Sequence, residues 1–288
     1  MVTIQERVAE ARQRLRAAGI GAAEADASAR VLAEHVLGWD ATRYLTEAAE
    51  PEPSGFAERY DAAVRRRVTR EPSAYIMGRR EFWGLTLEVS PAVLIPRPET
   101  ELIVEAALDV LGAGRNSHLD VADAFTGSGN VAIALAHELP SASIVAADIS
   151  DVALEVARRN ASRHGLAKRI RFVCADVLAG IGGPFDLIVA NPPYVQAGAR
   201  PALVPEVRDH EPSVALFGGA VGIELVATMV EQGAERLRPG GHLIFEFGLG
   251  QDVEVEELIA DTPGLALTGV RRDLQGIART AVARKSEV

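Results

Sequence analysis

Asn191-Pro192-Pro193-Tyr194 directly follows the apolar run Phe185–Ala190. In an open α/β sheet ligands bind beyond the carboxyl ends of the strands, so a tetrapeptide placed there faces a ligand cleft. A planar amide or arylamine nitrogen is a poor nucleophile because its lone pair is delocalised. It becomes competent when acceptors hold its two N–H groups and leave the lone pair aimed at an electrophilic methyl group. The side-chain oxygen of Asn191 and the carbonyl of Pro192 can supply two such acceptors. Pro192 and Pro193 fix the backbone and remove competing N–H donors, and the Tyr194 ring can stack on a flat substrate group. Chemistry of this kind rests on orientation, which is worth up to about 7–11 kcal/mol in favourable intramolecular reactions, and needs no strong base.

A second cluster lies earlier in the chain. Asp123-Ala124-Phe125-Thr126-Gly127-Ser128-Gly129-Asn130 closes an apolar run and opens a helical one. Glycines there let the backbone turn tightly and approach a ligand. Asp148, 19 residues beyond Gly129, ends the next apolar run, where a carboxylate can accept hydrogen bonds from ribose hydroxyls. Asp176, after the third run, is placed to meet an adenine amino group. A dinucleotide would want G-x-G-x-x-G so that pyrophosphate sits on a helix N-terminus. Only Gly127 and Gly129 are present, and Asp123 ahead of the turn suits a cationic amino-acid or sulfonium group better than pyrophosphate. An adenosine-bearing sulfonium, S-adenosylmethionine, is the better match. Asp123 and Asp176 could also be simple turn caps.

These groups need a scaffold of alternating strands and helices. Apolar runs at 119–124, 144–148, 170–173, 185–190 and 243–247 alternate with helical periodicity at about 129–138, 151–164, 222–236 and 250–260. That pattern predicts βαβ units and a Rossmann-like parallel sheet covered on both faces. Runs at 265–270 and 278–282 leave no room for a crossover helix and predict an antiparallel edge hairpin, seven strands in all. The first part reads as helix: Ile4, Val8, Ala11 and Leu15 recur at helical spacing, as do Ala29, Leu32, Ala33 and Val36, then Phe56, Tyr60, Ala63 and Val64. Arg65, Arg66, Arg67 and Arg70 lie on the polar side of the third helix, as a solvated face or a docking patch for an acidic partner. Phe82, Leu85, Leu87 and Val89 around Gly84 predict a short hairpin. Pro98 suits the first turn of a helix through Leu111. The expected division is a helical substrate-recognition domain over 1–78, a linking hairpin over 79–96, and a catalytic domain over 97–288.

Composition narrows the function classes. The 288 residues carry a formal charge of −10, which opposes tight binding to a long run of phosphates. No apolar stretch approaches the roughly 18 residues needed to span a bilayer, and the charged N-terminal segment is no secretory signal. A single cysteine, Cys174, excludes a disulfide framework; it falls in an apolar run and is expected in the core. His118, His137, His164 and His242 show no metal-ligand spacing, so no metal is expected, and the location predicted is cytoplasmic.

Across nearly its whole length the chain resembles the release factor glutamine methyltransferases. The resemblance is carried by Arg80-Glu81-Phe82-Trp83-Gly84, by Leu94-Ile95-Pro96-Arg97-Pro98-Glu99-Thr100-Glu101, by the glycine turn and by Ala147-Asp148-Ile149-Ser150. It continues through Asn191-Pro192-Pro193-Tyr194, His210-Glu211-Pro212, Ala215-Leu216-Phe217-Gly218-Gly219, Glu246-Phe247-Gly248 and Asp273-Leu274-Gln275-Gly276. The Asn-Pro-Pro-Tyr element is shared with adenine-specific DNA methyltransferases, whereas the Ile-Pro-Arg-Pro-Glu-Thr-Glu segment is far more restricted to this family.

The resemblance implies a class I methyltransferase sheet, S-adenosylmethionine as donor, and the glutamine amide of the Gly-Gly-Gln loop of peptide chain release factors as acceptor. It implies no membrane and no direct nucleic-acid partner. The cofactor residues it implies are Asp123, Thr126, Gly127, Gly129, Asp148, Asp176 and Asn191. Asn191, Pro192 and Tyr194 would be the catalytic residues, Asn191 and Pro192 holding the substrate amide and Tyr194 flanking it, with Pro193 beside them in the substrate site and Arg97 and Glu99 lining its entrance. One departure stands out: the family usually carries glycine where this chain has Phe125, which either packs away from the ligand or narrows the methionine end of its pocket. Two other readings therefore stand beside the first. One is a paralogue acting on another nitrogen (a small-molecule amide or guanidine, or adenine in DNA), and the other is a binding module that has lost its cofactor.

Overall fold

Thr3 starts the first helix through a reciprocal cap: its hydroxyl accepts from the Glu6 N–H while the Glu6 carboxylate accepts from the Thr3 N–H. The computed structural model describes residues 2–287; Met1 and Val288, the extreme ends of the expected 1–78 and 97–288 divisions, lie outside the described residues. Two units are present, one running through Arg79 and also holding Val204–His210, the other made of Arg80–Leu203 and the chain from Glu211 onward.

The helical unit comprises α1 (Ile4–Ala17), α2 (Ala22–Leu37), α3 (Ala41–Glu47), α4 (Phe56–Val68) and α5 (Ser73–Met77). The stripes Ile4, Val8, Ala11, Leu15 and Ala25, Ala29, Leu32, Ala33 meet Phe56, Tyr60 and Val64 in one core. Tyr60 stacks on Phe56 at 5.1 Å and donates its hydroxyl to the Ala29 carbonyl at 2.9 Å. The arginine run divides: Arg65 and Arg66 lie on the solvated face the sequence suggests, whereas Arg67 departs from it. Arg67 is 1% exposed, the largest fully buried side chain, and its guanidinium meets Glu206 at 2.8 Å and Glu24 at 2.5 Å. Arg70 reaches the other Glu206 oxygen at 2.6 Å, while Arg65 pairs with Asp61 and Arg66 with Glu71. Arg67 and Arg70 are drawn inward because Glu206, 139 residues from Arg67 in sequence, supplies a counter-charge that no local spacing announces.

The second unit begins with the hairpin β1 (Arg79–Phe82) and β2 (Leu85–Glu88), then a single 3₁₀ turn at Pro98–Thr100 and α6 (Glu101–Leu111). It continues β3 (Asp120–Ala124), α7 (Asn130–Glu138), β4 (Ser143–Asp148), α8 (Asp151–Arg163), β5 (Ile170–Cys174), β6 (Phe185–Ala190) and β7 (Val195–Gln196). After α9 (Pro205–His210), which belongs to the helical unit, come β8 (Phe217–Gly219), α10 (Glu224–Arg236), β9 (Leu237–Glu246), α11 (Asp252–Ala260), β10 (Leu265–Arg272) and β11 (Ala278–Lys285). The main sheet has seven strands in the order β10-β11-β9-β6-β3-β4-β5, as expected from the alternation and the terminal hairpin. β11 runs antiparallel to both β9 and β10, and the other pairs are parallel. Central strands are apolar on both sides because helices cover both faces, so Leu187 to Ala190 are all buried. The chain builds outward from β3 to β5 and then returns to place β6 on the other side of β3, which opens a crevice at the strands' carboxyl ends.

Cys174 corrects an expectation: its side chain is exposed, with Sγ 3.6 Å from the Ile149 carbonyl. It is the last residue of β5, which is an edge strand, so the apolar run there is covered less completely than in the centre.

Replacing Glu206 by Ala is expected to destabilise the protein by about 3 kcal/mol in denaturant unfolding. This is the low end for breaking a buried ion pair, because Glu24 remains beside Arg67. An unchanged unfolding free energy would show that the buried pair contributes nothing.

Candidate active site

A cavity of about 190 Å³ opens where β3, β4, β5 and β6 end, bordered by Thr126, Gly127, Asp148, Asp176, Asn191 and Pro193 among the expected site residues. The glycine turn is lashed to β4. The Thr126 N–H donates to the Ala147 carbonyl at 2.8 Å, and the Gly127 N–H donates to the Asp148 carboxylate at 2.9 Å. The other Asp148 oxygen accepts from the Ser150 N–H at 2.9 Å, and Ser150 in turn caps α8. Burial pushes the Asp148 carboxyl up from the usual carboxylate range, opposed by these N–H donors. Asn160, fully buried on α8, accepts from the Glu88 N–H and donates to the carbonyls of Glu88 and Ser128, joining the hairpin to the back of the turn.

Asp123 and Gly129 do not line this cavity. Asp123 is buried behind the turn, where one carboxylate oxygen accepts from the Thr126 hydroxyl at 2.7 Å and from the Ala132 N–H at 3.1 Å. Burial pushes its carboxyl up to about 7. Gly129 has φ +82°, and a Cβ there would lie 3.0 Å from Ile133 Cδ1 and 3.1 Å from Ala157 Cβ. Its smallness serves the close approach of α7 and α8. Phe125 has φ +61° and both borders the cavity and packs half-buried on the core layer that includes Phe245 and Phe247.

Asn191 points its amide nitrogen at the Thr100 hydroxyl at 3.0 Å. Thr100 donates to the Glu246 carboxylate at 2.7 Å, and the Tyr194 hydroxyl donates to the other Glu246 oxygen at 2.9 Å. Among the described residues, no hydrogen bond uses Asn191 Oδ1 or the Pro192 carbonyl. Burial raises the Glu246 carboxyl, and burial together with the neighbouring Glu246 charge raises the Tyr194 phenol. Pro192 is buried, and Tyr194 borders a neighbouring groove with Leu249 and Gln251 rather than the cavity. Arg97 and Glu99 stand off the cavity; Arg97 pairs with buried Glu211 at 2.6 Å, not with Glu99.

The cavity wall fits an adenosine-bearing sulfonium. Ser128 Oγ is buried there without a hydrogen-bond partner, Asp148 presents a carboxylate, and Ile149 and Val214 offer exposed apolar surface for a flat ring. Thr100, Ser128 and Glu246 were not among the residues expected at the site. The one local signal was Glu246, a carboxylate following the apolar Leu243-Ile244-Phe245 at the end of β9. Among the described residues no group of His, Cys, Asp and Glu could hold a metal ion, and no helix is long and apolar enough to cross a membrane.

Five parallel strands, a final antiparallel hairpin and a glycine turn facing a strand-end acid define a class I, S-adenosylmethionine-dependent methyltransferase. The PrmC N-terminal domain family model matches residues 6–78, and the Methyltransferase small domain model matches 102–207. The release factor glutamine methyltransferase of Bradyrhizobium diazoefficiens is 44% identical over 94% of this chain and 91% of its own length. The protein of the same name from Koribacter versatilis is 42% identical over 79% of each chain. The hMettl16 catalytic domain, solved with a 3′UTR hairpin, shares the fold at a TM-score of 0.57, with 17% identity and 82% of each chain covered. The chain belongs to the release factor glutamine methyltransferase family.

The Asp123 environment has a pH signature. Its folded pKa is raised from 3.8 to about 7, so the folded state holds the proton more tightly and stability is lost as pH climbs through that window. The whole window is worth on the order of 4 kcal/mol. Asp123→Asn keeps an oxygen for both donors and removes the charge. Thermal unfolding at pH 4 and pH 8 should therefore show the variant gaining on the parent protein at the higher pH. A difference that does not move with pH would contradict the buried, raised carboxyl.

Proposed function

We propose that this chain transfers the methyl group of S-adenosylmethionine to the side-chain amide nitrogen of a peptide chain release factor, at the glutamine of its Gly-Gly-Gln motif. The observation that carries the reading is Asn191 at the carboxyl end of β6, lining the cavity, with its nitrogen engaged by Thr100 and no hydrogen bond on its oxygen among the described residues. When bound, S-adenosylmethionine supplies an electrophilic methyl group whose S–C electron pair returns to sulfur on transfer. The chain's own residues do the rest. Asn191 Oδ1 and the Pro192 carbonyl take the two amide N–H groups, which localises the nitrogen lone pair and aims it. As the N–C bond forms, one of those N–H protons passes to solvent. Tyr194, tethered through its hydroxyl, keeps the loop in register.

The cofactor side of the assignment uses Thr126, Gly127 and Asp148 at the turn and strand end, and Asp176 beyond β5. Asp148 takes the ribose hydroxyls, because its carboxylate lines the cavity while its N–H donors hold it in place. We assign recognition of the release factor to the helical residues 1–78, and place the reaction in the cytoplasm, where release factors work.

Incubation of the protein with a release factor and cofactor, followed by peptide mass spectrometry, should show a gain of one methyl group on the Gly-Gly-Gln peptide. A second methyl should not follow, since the product nitrogen keeps one N–H for two acceptors. Asn191→Ala should lower turnover by about 100-fold or more while S-adenosylhomocysteine binds within a few-fold of the parent protein. No mass gain on any release factor would sink the substrate assignment, and methylation of duplex DNA in its place would favour the adenine reading.

A further inference from the structure

The chemistry proposed for Asn191 requires a definite end of its carboxamide to face the substrate, because the oxygen accepts hydrogen bonds and the nitrogen donates them. Nothing in Asn191 itself chooses between the two orientations, which have almost the same shape. The choice is made two side chains away. Glu246 is 2% exposed at the end of β9, and each of its two oxygens stands as the acceptor of a hydroxyl. Thr100 therefore spends its single hydroxyl proton on Glu246 at 2.7 Å, and Tyr194 spends its own at 2.9 Å. Thr100 Oγ1 is then left with lone pairs only, and a lone pair facing Asn191 at 3.0 Å is satisfied by Nδ2 and repelled by Oδ1. Oδ1 must turn to the cavity.

We propose that Glu246 and Thr100 are positioning residues that set the donor–acceptor polarity of Asn191. They thereby restrict the acceptor substrate to nitrogens bearing two N–H groups, a primary amide or amine, against a carboxylate or carbonyl of the same shape. The substrate part rests on the methyltransferase reading above; the polarity of Asn191 does not. The same carboxylate holds Tyr194, so one buried charge orients both ends of the Asn191–Tyr194 loop. Thr100 belongs to a different segment from the loop, 91 residues earlier in the chain. Only the closed chain Glu246–Thr100–Asn191 gives its hydroxyl a task.

The test uses the full-length protein with Thr100→Val, which keeps the shape and removes the hydroxyl, Thr100→Ser, which restores it, and Glu246→Gln. Two readouts are taken: kcat and KM with a release factor, and the side-chain amide NMR signals of Asn191. Thr100→Val is expected to lower kcat by about 100-fold with the KM for S-adenosylmethionine within about two-fold, while Thr100→Ser stays within a few-fold of the parent protein. Glu246→Gln, which puts a donor where an acceptor stood, should act in the same direction as Thr100→Val. The Asn191 Nδ2 protons should shift and exchange faster in Thr100→Val and not in Thr100→Ser. Unchanged Asn191 signals in Thr100→Val overturn the proposal, as does an equal loss of kcat in Thr100→Ser. If the parent protein methylates no release factor, the substrate reading falls, and the Asn191 signals still decide the polarity.

Discussion

Glu246 is a carboxylate with almost no contact with water, placed at the end of the strand beside the one that carries Asn191. Burying such a charge is unfavourable unless each oxygen is satisfied, and here the Thr100 and Tyr194 hydroxyls do so. The consequence reaches the reactive end of the cleft, because a hydroxyl that must donate to Glu246 has only lone pairs to show Asn191. Arrangements of this kind tolerate partial loss poorly: a network missing one member leaves a buried polar group unmet. The Asn-Pro-Pro-Tyr loop is therefore held by its side chains as well as by its prolines.

The cofactor side obeys a related constraint. The turn after β3 must bring backbone close to a ligand, so Gly127 and Gly129 adopt positive φ, and Phe125 does so despite its side chain. Such a turn stays in shape only if its N–H groups are satisfied elsewhere. Asp148 takes one of them, the Ala147 carbonyl another, and Asp123 braces the turn from behind through Thr126 and Ala132. Four residues that look alike as ligand-binding acids and glycines thus divide, Gly127 and Asp148 to the cavity wall, Asp123 and Gly129 to its support. Phe125 stands between the two, lining the cavity and packing on the core.

Much of this was readable from residue order. The near-continuous apolar runs of β3, β4, β6 and β9 stand out because strands buried on both faces need no polar alternation. Asp148 and Asn191 could be placed because they stand at the ends of such runs, and strand termini in this kind of sheet converge on one crevice. Elements too short to show a period were not legible: α9 has six residues, and β7 and β8 pair over only a few. Arg67 was read as solvated because its counter-charge Glu206 is remote in sequence, and Cys174 as buried because the pattern does not reveal which strand lies at the sheet edge.

The sequence by itself determined the class of chemistry: an amide oxygen and a proline carbonyl after a buried strand, a glycine turn, and an acid ending the next strand. These are local patterns, and local patterns survive in residue order. Tertiary structure alone decided which groups face the ligand and which serve the frame. Thr100 and Glu246 are 146 residues apart, and Asn191 acquires its orientation only when the two meet over it. A hydrogen-bond network assigns donor and acceptor roles only when every member is in place, so its outcome is a property of the folded chain and of no segment within it.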